Sequence, residues 1–400
     1  MSRAIAVTGI GAVTPLGVGA KQLIDRWCKG EDGFAADGVG RCDCFDPADY
    51  LSKRQVRRAD RFVQLAIVAA DEAIRDAGWD RGMPFDPFRV ACVLGTGIGG
   101  VGTMETLIGA YRDRGPAACS PLGIPLSIAN CAAATIAMRH GLRGHCSATV
   151  SACAAGADAV AHGVRLIRAG EADAAVVGGS EAALSDFCRA AFRNMGATSS
   201  SGVCRPFEAR RDGFVMGEGA GVLVLEDEQA AVGGGATVLA RLAGIGTTSD
   251  AFHLTAPDPS GGAAAQAIKI ALADARVSAA DVDYVNAHGT GTPLNDASET
   301  QALKTALGRH AWEVPVSSAK SAIGHLLGGA GAVEAVATIS AMREGVAPPT
   351  LHYEIPDEAL DLDYVALGPR PIATNGSRRV VISNSFGFGG HNVVLVFTDT

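Results

Sequence analysis

The chain is poor in charge: only 19% of its 400 residues are Asp, Glu, Lys or Arg, against 48% hydrophobic residues. That balance, with 51 glycines, excludes a disordered chain and points to a tightly packed globular enzyme with many turns and close backbone approaches. Positive charge is scarcer than negative, and a net charge of −8 gives no general attraction to nucleic acid or an anionic membrane. A bilayer span is also lacking. The longest uncharged run includes Cys119 to Met138, a stretch that is broken by Pro121, Pro125, Ser127 and Asn130 and reads as a loop followed by a buried helix. The opening "MSRAIAVTGIGAVTPLG" lacks the features of a secretory leader and reads as a first strand and turn, so a cytoplasmic chain is expected. Its ten cysteines are then reduced thiols rather than a disulfide framework. Cys42 and Cys44 in "RCDCFD" have no second pair at zinc-finger spacing, and no metal site is expected.

Four hundred residues exceed what one hydrophobic core usually organises, so two lobes are expected. Short apolar runs alternate with amphipathic or alanine-rich segments, an α/β pattern. Strands are predicted at Ala4 to Thr8, Val90 to Leu94, Ala174 to Val177, Gly221 to Leu225, Val282 to Asn286 and Val380 to Ser383. Helices are predicted at Arg61 to Ala77, Ala154 to Ala169, Ala263 to Ala275, Ser298 to Leu307 and Ala330 to Arg343. A weak internal repeat runs through the pattern. "VACVLGTGIGG", "SACAAGADAVAHGVRLIRAG" and "ADAAVVGGSE" are followed in the second half, in the same order, by "VDYVNAHGTGTP", "SAIGHLLGGAGAVEAVATISAMREG" and "RRVVISNSFGFGG". The halves divide in the Gly/Ala-rich stretch near Val232 to Ala240, giving units of residues 1–235 and 236–400.

A duplicated unit brings its two equivalent helix starts together at a pseudo-two-fold axis, where Cys153 meets second-half histidines. A thiol at a helix N-terminus sees unsatisfied N–H groups and the positive end of the dipole, both of which favour thiolate, so Cys153 is a candidate nucleophile. His288 lies in "NAHGTGTPLND", where a strand ends in a glycine-rich turn, and His325 lies five residues after Lys320 in "AKSAIGHLLGG".

These segments, with "VTGIGAVTPLG", "RPFEARRDGFVMGEGAG", "DAFHLTAPDPSG" and "NSFGFGGHN", resemble the ordered motifs of the β-ketoacyl-acyl-carrier-protein synthases over nearly the whole chain. The likeness is greatest to the elongating type used in fatty acid and iterative type II polyketide synthesis. It implies an α/β thiolase fold, with duplicated halves in a five-layered αβαβα arrangement. It also implies a decarboxylative Claisen condensation of an acyl-enzyme with malonyl-acyl carrier protein. By resemblance Cys153 carries the acyl group, and His288 and His325 assist loss of CO₂ and stabilise the enolate. Lys320 and Glu334 support that network, and the N–H groups of Cys153 and Phe388 hold the thioester oxyanion. Phe388 also matches a gating phenylalanine. Thr290 and Thr292 match hydroxyls that bind the phosphopantetheine arm, Met104 matches the floor of the acyl pocket, and Phe187 matches an aromatic at its mouth. No cofactor bound to the enzyme itself is implied.

The basic stretch "LSKRQVRRADRF", with Lys53, Arg54, Arg57, Arg58 and Arg61, matches the family's docking site for acidic carrier protein, with Arg54, Arg57 and Arg58 at the contact positions. After "GP", where many relatives carry two basic residues, this chain has Ala117 and Ala118, and Arg189 or Arg193 are candidate replacements. His391 stands where many relatives have Thr. The family implies a homodimer or a heterodimer with a related ketosynthase-like subunit. Two other readings compete. "GTGIGG" also fits a dinucleotide-binding turn of an NAD(P)-dependent dehydrogenase, although no strand ending in an acid follows at the required distance. A non-catalytic chain-length factor would lack the nucleophile, whereas Cys153, His288, Lys320 and His325 are all present; with a chain-length factor as partner, this chain would be the catalytic subunit.

Overall fold

Alternate residues along single strands belong to different cores. In Val90–Gly95, Ala91 and Val93 join one apolar cluster while Val90, Cys92 and Leu94 join another. In His391–Thr398, Val393, Leu395 and Phe397 face the first cluster while Val394 and Val396 face a third. Side chains alternate across a strand, so these strands are covered by helices on both faces.

The computed structural model describes residues 3–374, 376 and 378–400. The first half contributes β1 (Ile5–Thr14), β2 (Val90–Gly95), β3 (Cys146–Thr149), β4 (Ala174–Glu181) and β5 (Gly219–Asp227). The second contributes β6 (Ala240–Ser249), β7 (Tyr284–Asn286), β8 (Val316–Ser317), β9 (Val380–Gly387) and β10 (His391–Thr398). They form one path, β3-β2-β4-β5-β1-β6-β10-β9-β7-β8. Read from either edge, each half has the same order, third-second-fourth-fifth-first, with its first three strands parallel and the last two antiparallel. The halves meet where Ala6 and Val7 of β1 pair with Arg241 and Ala240 of β6. The duplication read weakly from sequence is thus a duplication of topology, and the chain crosses between halves through the helix Glu228–Gly233 and the residues just after it.

Helix α1 (Arg61–Asp76) packs on the outer face of the first half, α3 (Ala155–Arg168) lies on the inner face shared by the two halves, and α5 (Gly262–Ala275) and α6 (Pro293–Leu307) cover the outer face of the second. Helix α7 (Ala330–Glu344) joins α3 in the middle layer, buried from Ala330 through Met342. Helices α2 (Val101–Arg114) and α4 (Asp186–Asn194) lie at the periphery. The five layers are those of the thiolase arrangement.

The predicted helices agree with the observed ones except α6, which starts at Pro293 because Pro is suited to the first helical position and the Thr292 side chain caps Asn295 N–H. Strands β3, β6, β8 and β10 escaped prediction. "AGIG" in β6 has the glycines of a turn, but Gly244 and Gly246 lie flat against α5, where a Cβ would come within 2.2 Å of Ala271 O and 2.0 Å of Ala267 O. Gly9 and Gly11 of β1 meet α1 in the same way.

Helices α3 and α7 touch backbone to backbone at their starts. A Cβ on Gly156 would sit 2.8 Å from Ala332 N, and one on Gly331 would sit 2.9 Å from Ala157 N. Gly156→Ala gains about 1 kcal/mol of helix propensity in an open helix, but here the methyl meets main chain and overpacking wins. We expect a net loss of about 1–3 kcal/mol in chemical denaturation; a stabilised variant would contradict this packing.

Candidate active site

Both middle helices are entered through the same device. Ala152–Ala154 forms a 3₁₀ turn before α3 with Ala152 at φ +51°, and Leu327–Gly329 forms one before α7 with Leu327 at φ +47°. Non-glycine residues seldom adopt this left-handed conformation, so its recurrence marks equivalent positions in the halves. The register makes Gly328, not His325, the counterpart of Cys153, which corrects the expected equivalence of the Cys- and His-bearing helix starts. Between strand end and turn the first half has only Val150 and Ser151, whereas the second has Ser318 through Leu326. Lys320 and His325 lie on that longer connection. Gly328 has no room for a side chain, since a Cβ there would meet Gly97 N at 2.0 Å.

A cavity of about 280 Å³ brings Cys153, His288, His325 and Phe388 together, with Thr290 and Thr292 on its wall. The imidazole centres lie 5.4 Å apart and nearly perpendicular. Lys320, fully buried, donates from Nζ to His288 O at 2.6 Å and lies 3.3 Å from His288 Nδ1. It also pairs with buried Glu334. The Leu327 N–H donates to His325 Nδ1 at 3.2 Å. With both Nδ1 atoms occupied by donors, each ring carries its proton on Nε2. Burial, then the Lys320 charge, holds both histidines well below the usual imidazole range, with His325 adding to the shift of His288, so both rings are neutral donors. The Glu334 carboxyl is raised by burial and drawn back by Lys320.

The thiol corrects a second expectation. Cys153 sits at a helix start, yet burial pushes it up to about 11 despite Lys320 and the Phe388 N–H acting in the opposite direction. Desolvation exceeds the attraction of the Lys320 charge and the Phe388 N–H combined, so the resting group is a thiol. Gly387 lets the Phe388 backbone approach: a Cβ at Gly387 would lie 3.1 Å from Cys153 N.

Thr290 and Thr292 have their hydroxyls 2.9 Å apart. Met104 and Phe187 are not on the cavity wall. Met104 is half-buried on α2, a helix with no buried residue, and Phe187 is 66% exposed on α4. The aromatic at the mouth is Phe192, about 140° further round α4. Its ring lies 6.5 Å from Phe388 and 5.8 Å from Phe214. Sequence reading also missed Glu299, which accepts the N–H groups of His288 and Gly289 at 2.8 and 2.7 Å and so fixes the turn. Glu299 lies near the middle of α6, too far from its start for a capping pattern to mark it.

Arg54, Arg57 and Arg58 are exposed and, among the described residues, join no ion pair. Arg61 is instead structural: its guanidinium pairs with buried Glu218 at 2.9 Å and lies 4.8 Å over the Phe45 ring. Arg189 is held by Asp37 at 3.1 Å, while Arg193 is exposed. Ala117 and His391 are also exposed. The N–H groups of Gly97, Ile98 and Gly99 in "GTGIGG" all donate to Glu181, so the donors that a dinucleotide pyrophosphate would need are taken.

Family models for the beta-ketoacyl synthase N-terminal and C-terminal domains match residues 36–231 and 239–354. The chain is 42% identical to the 3-oxoacyl-[acyl-carrier-protein] synthase 2 of Synechocystis sp., over 98% of this chain and 97% of that protein. Among solved structures, it superposes with TM-score 0.93 and 30% identity on the ishigamide ketosynthase/chain length factor. It superposes with TM-score 0.90 and 30% identity on a chain from a type II polyketide synthase acyl-carrier protein in complex with its ketosynthase bound to the hexaketide. Both matches cover 100% of each chain. The shared fold and the full-length likeness define a condensing enzyme of thiolase architecture. The chain belongs to the beta-ketoacyl synthase family.

A thiol raised to about 11 is only roughly one part in ten thousand thiolate at pH 7. Alkylation of Cys153 by iodoacetamide in the free enzyme is therefore expected to rise about tenfold per pH unit from pH 7 to about 10. A plateau below about pH 8, followed by peptide mass spectrometry, would show a thiolate at rest instead.

Proposed function

We propose that the chain transfers an acyl group from carrier protein to Cys153 and condenses it with malonyl-acyl carrier protein, giving CO₂ and 3-oxoacyl-acyl carrier protein. One observation carries this reading: a thiol from one half and two neutral Nε2–H imidazoles from the other face one cavity. In the first step Cys153 Sγ attacks the acyl thioester carbonyl, the bond to the pantetheine sulfur breaks, and the thiol proton goes to that departing sulfur. The oxyanion accepts from the N–H groups of Cys153 and Phe388. In the second, the malonyl carboxylate leaves as CO₂ and the enolate oxygen accepts from His288 and His325. The enolate carbon then attacks the Cys153 thioester; a carbon–carbon bond forms, the bond to Cys153 Sγ breaks, and the released thiolate takes a proton from solvent water. Neutral donors suit both events, because charge appears only in the transition state and finds fixed partners. Lys320 and Glu334 set the polarity of the two rings, and Thr290 and Thr292 hold the arm. Each step is carried by the chain's own residues and the carrier's phosphopantetheine, without a resident cofactor.

The same chemistry serves fatty acid elongation and type II polyketide elongation, including a heterodimer in which this chain is the catalytic subunit beside a chain-length factor. The apolar face formed by Ile108, Tyr111, Leu122 and Ile124, all exposed, is the surface we assign to a related second subunit. Arg54, Arg57 and Arg58 are the docking surface for acidic carrier protein. Among the described residues no helix is long and apolar enough to cross a membrane, and all ten cysteines are free; a cytoplasmic setting fits the reading.

Cys153→Ala is expected to abolish acyl-enzyme formation; a mass gain on that variant after incubation with acyl-carrier protein would refute the assignment. Reversal of Arg54, Arg57 and Arg58 to Glu should raise KM for carrier-bound substrate about tenfold or more and flatten its salt dependence. Turnover of a small carrier-free thioester should stay within about twofold. Equal losses on both substrates would place docking elsewhere.

A further inference from the structure

A carboxylate with no part in this scheme joins the two halves behind the cavity. Glu181, at the end of β4, is fully buried and accepts five hydrogen bonds. Oε1 accepts from the Thr96 hydroxyl at 3.0 Å and Gly99 N–H at 3.3 Å. Oε2 accepts from Gly97 N–H at 2.6 Å and from the N–H groups of Ile98 and Gly328 at 3.3 Å. Four of these donors belong to the first-half glycine loop. The fifth, Gly328, belongs to the turn whose first residue, Leu327, lies at φ +47° and donates its N–H to His325 Nδ1. A left-handed non-glycine residue persists only when its surroundings hold it. Two features hold this one: the Glu181 bond to the next N–H, and the close contact of Gly328 with the Thr96–Gly97 backbone. Glu181 therefore stands one residue from the donor that selects the His325 tautomer.

We propose that Glu181 is a positioning residue for the malonyl half of the reaction: by clamping the Leu327–Gly329 turn to the Thr96–Gly99 loop it keeps the Leu327 N–H on His325 Nδ1 and so keeps the His325 proton on Nε2. This rests on the enolate-stabilising role given to His325 above. The clamp needs an acceptor on both oxygens. An amide offers one acceptor and turns an NH₂ toward N–H groups, so Glu181→Gln keeps the shape but loses bonds on one side.

The test separates the half-reactions. In Glu181→Gln, CO₂ release from malonyl-carrier protein should fall roughly 10- to 100-fold, the scale of a misplaced catalytic donor. Acylation of Cys153, read by intact mass, should change by less than about threefold. The His325 ring ¹⁵N signals should shift from one tautomer toward a mixture. A merely structural role would lower both half-reactions together; that outcome, or unchanged CO₂ release, in a folded variant overturns the proposal. If Glu181→Gln does not fold, Thr96→Val removes the hydroxyl that bridges Glu181 Oε1 and Gly99 N while leaving the carboxylate. It should show the same selective loss, more weakly, and the same two outcomes count against the proposal. His325→Ala is the reference. If it leaves CO₂ release intact, the role of His325 itself fails; if it abolishes CO₂ release while Glu181→Gln does not lower it, only the positioning role fails.

Discussion

The backbone contact between α3 and α7 is the constraint on which the site depends. Gly156 and Gly331 leave main chain and the small methyls of Ala157 and Ala332 at the crossing, so the two helices approach more closely than larger residues would allow. Both helices start at that crossing, and so do the 3₁₀ turns that precede them. The duplicated fold therefore delivers two equivalent turns to one point, and chemistry arises where the halves stop being equivalent. Cys153 occupies the position in one turn; Gly328, pressed against Gly97, leaves none in the other. The longer second-half connection then supplies Lys320 and His325, and the β7 turn supplies His288. One cavity receives a thiol from one half and two imidazoles from the other.

A single buried ammonium organises the polarity of that cavity. Lys320 contacts His288 and Glu334, and its charge lowers both imidazoles. Had either ring been cationic, it would bind a ground-state carboxylate and lose the advantage of responding to the enolate. Burial sets the thiol in the opposite sense, by favouring its neutral form. The resting site thus holds little net charge beyond the Lys320–Glu334 pair, and the oxyanion and enolate of the proposed reaction would meet donors already fixed in place. Glutamates 181 and 299 do similar work behind the two glycine loops: each accepts several N–H groups and holds a turn whose glycines have no side chains to pack.

Much of this was legible in the sequence. The repeat, the seam carrying Cys153 and the glycine turns carrying His288 and His325 are local patterns, and the ordered motifs pointed to the family. What escaped depended on distant neighbours. The glycines of β6 look like a turn until α5 lies on them. Phe187 and Phe192 are equal candidates by composition, and only the rotation of α4 distinguishes them. Arg61 belongs to the basic run by sequence but to Glu218 by packing. Helix-terminus reasoning favoured a thiolate at Cys153, because desolvation depends on burial that no short motif reports. Met104 lies on a peripheral helix, outside the cavity lined by this chain.

The central claim is that the two halves converge on one acylated sulfur. A crystal structure of the enzyme acylated at Cys153 tests it most directly. The account predicts the thioester carbonyl oxygen within hydrogen-bond distance of the Cys153 and Phe388 N–H groups, with the Nε2 atoms of His288 and His325 both directed at the space beside the carbonyl carbon. An acyl oxygen turned away from those N–H groups, or either imidazole directed away from that space, would contradict it.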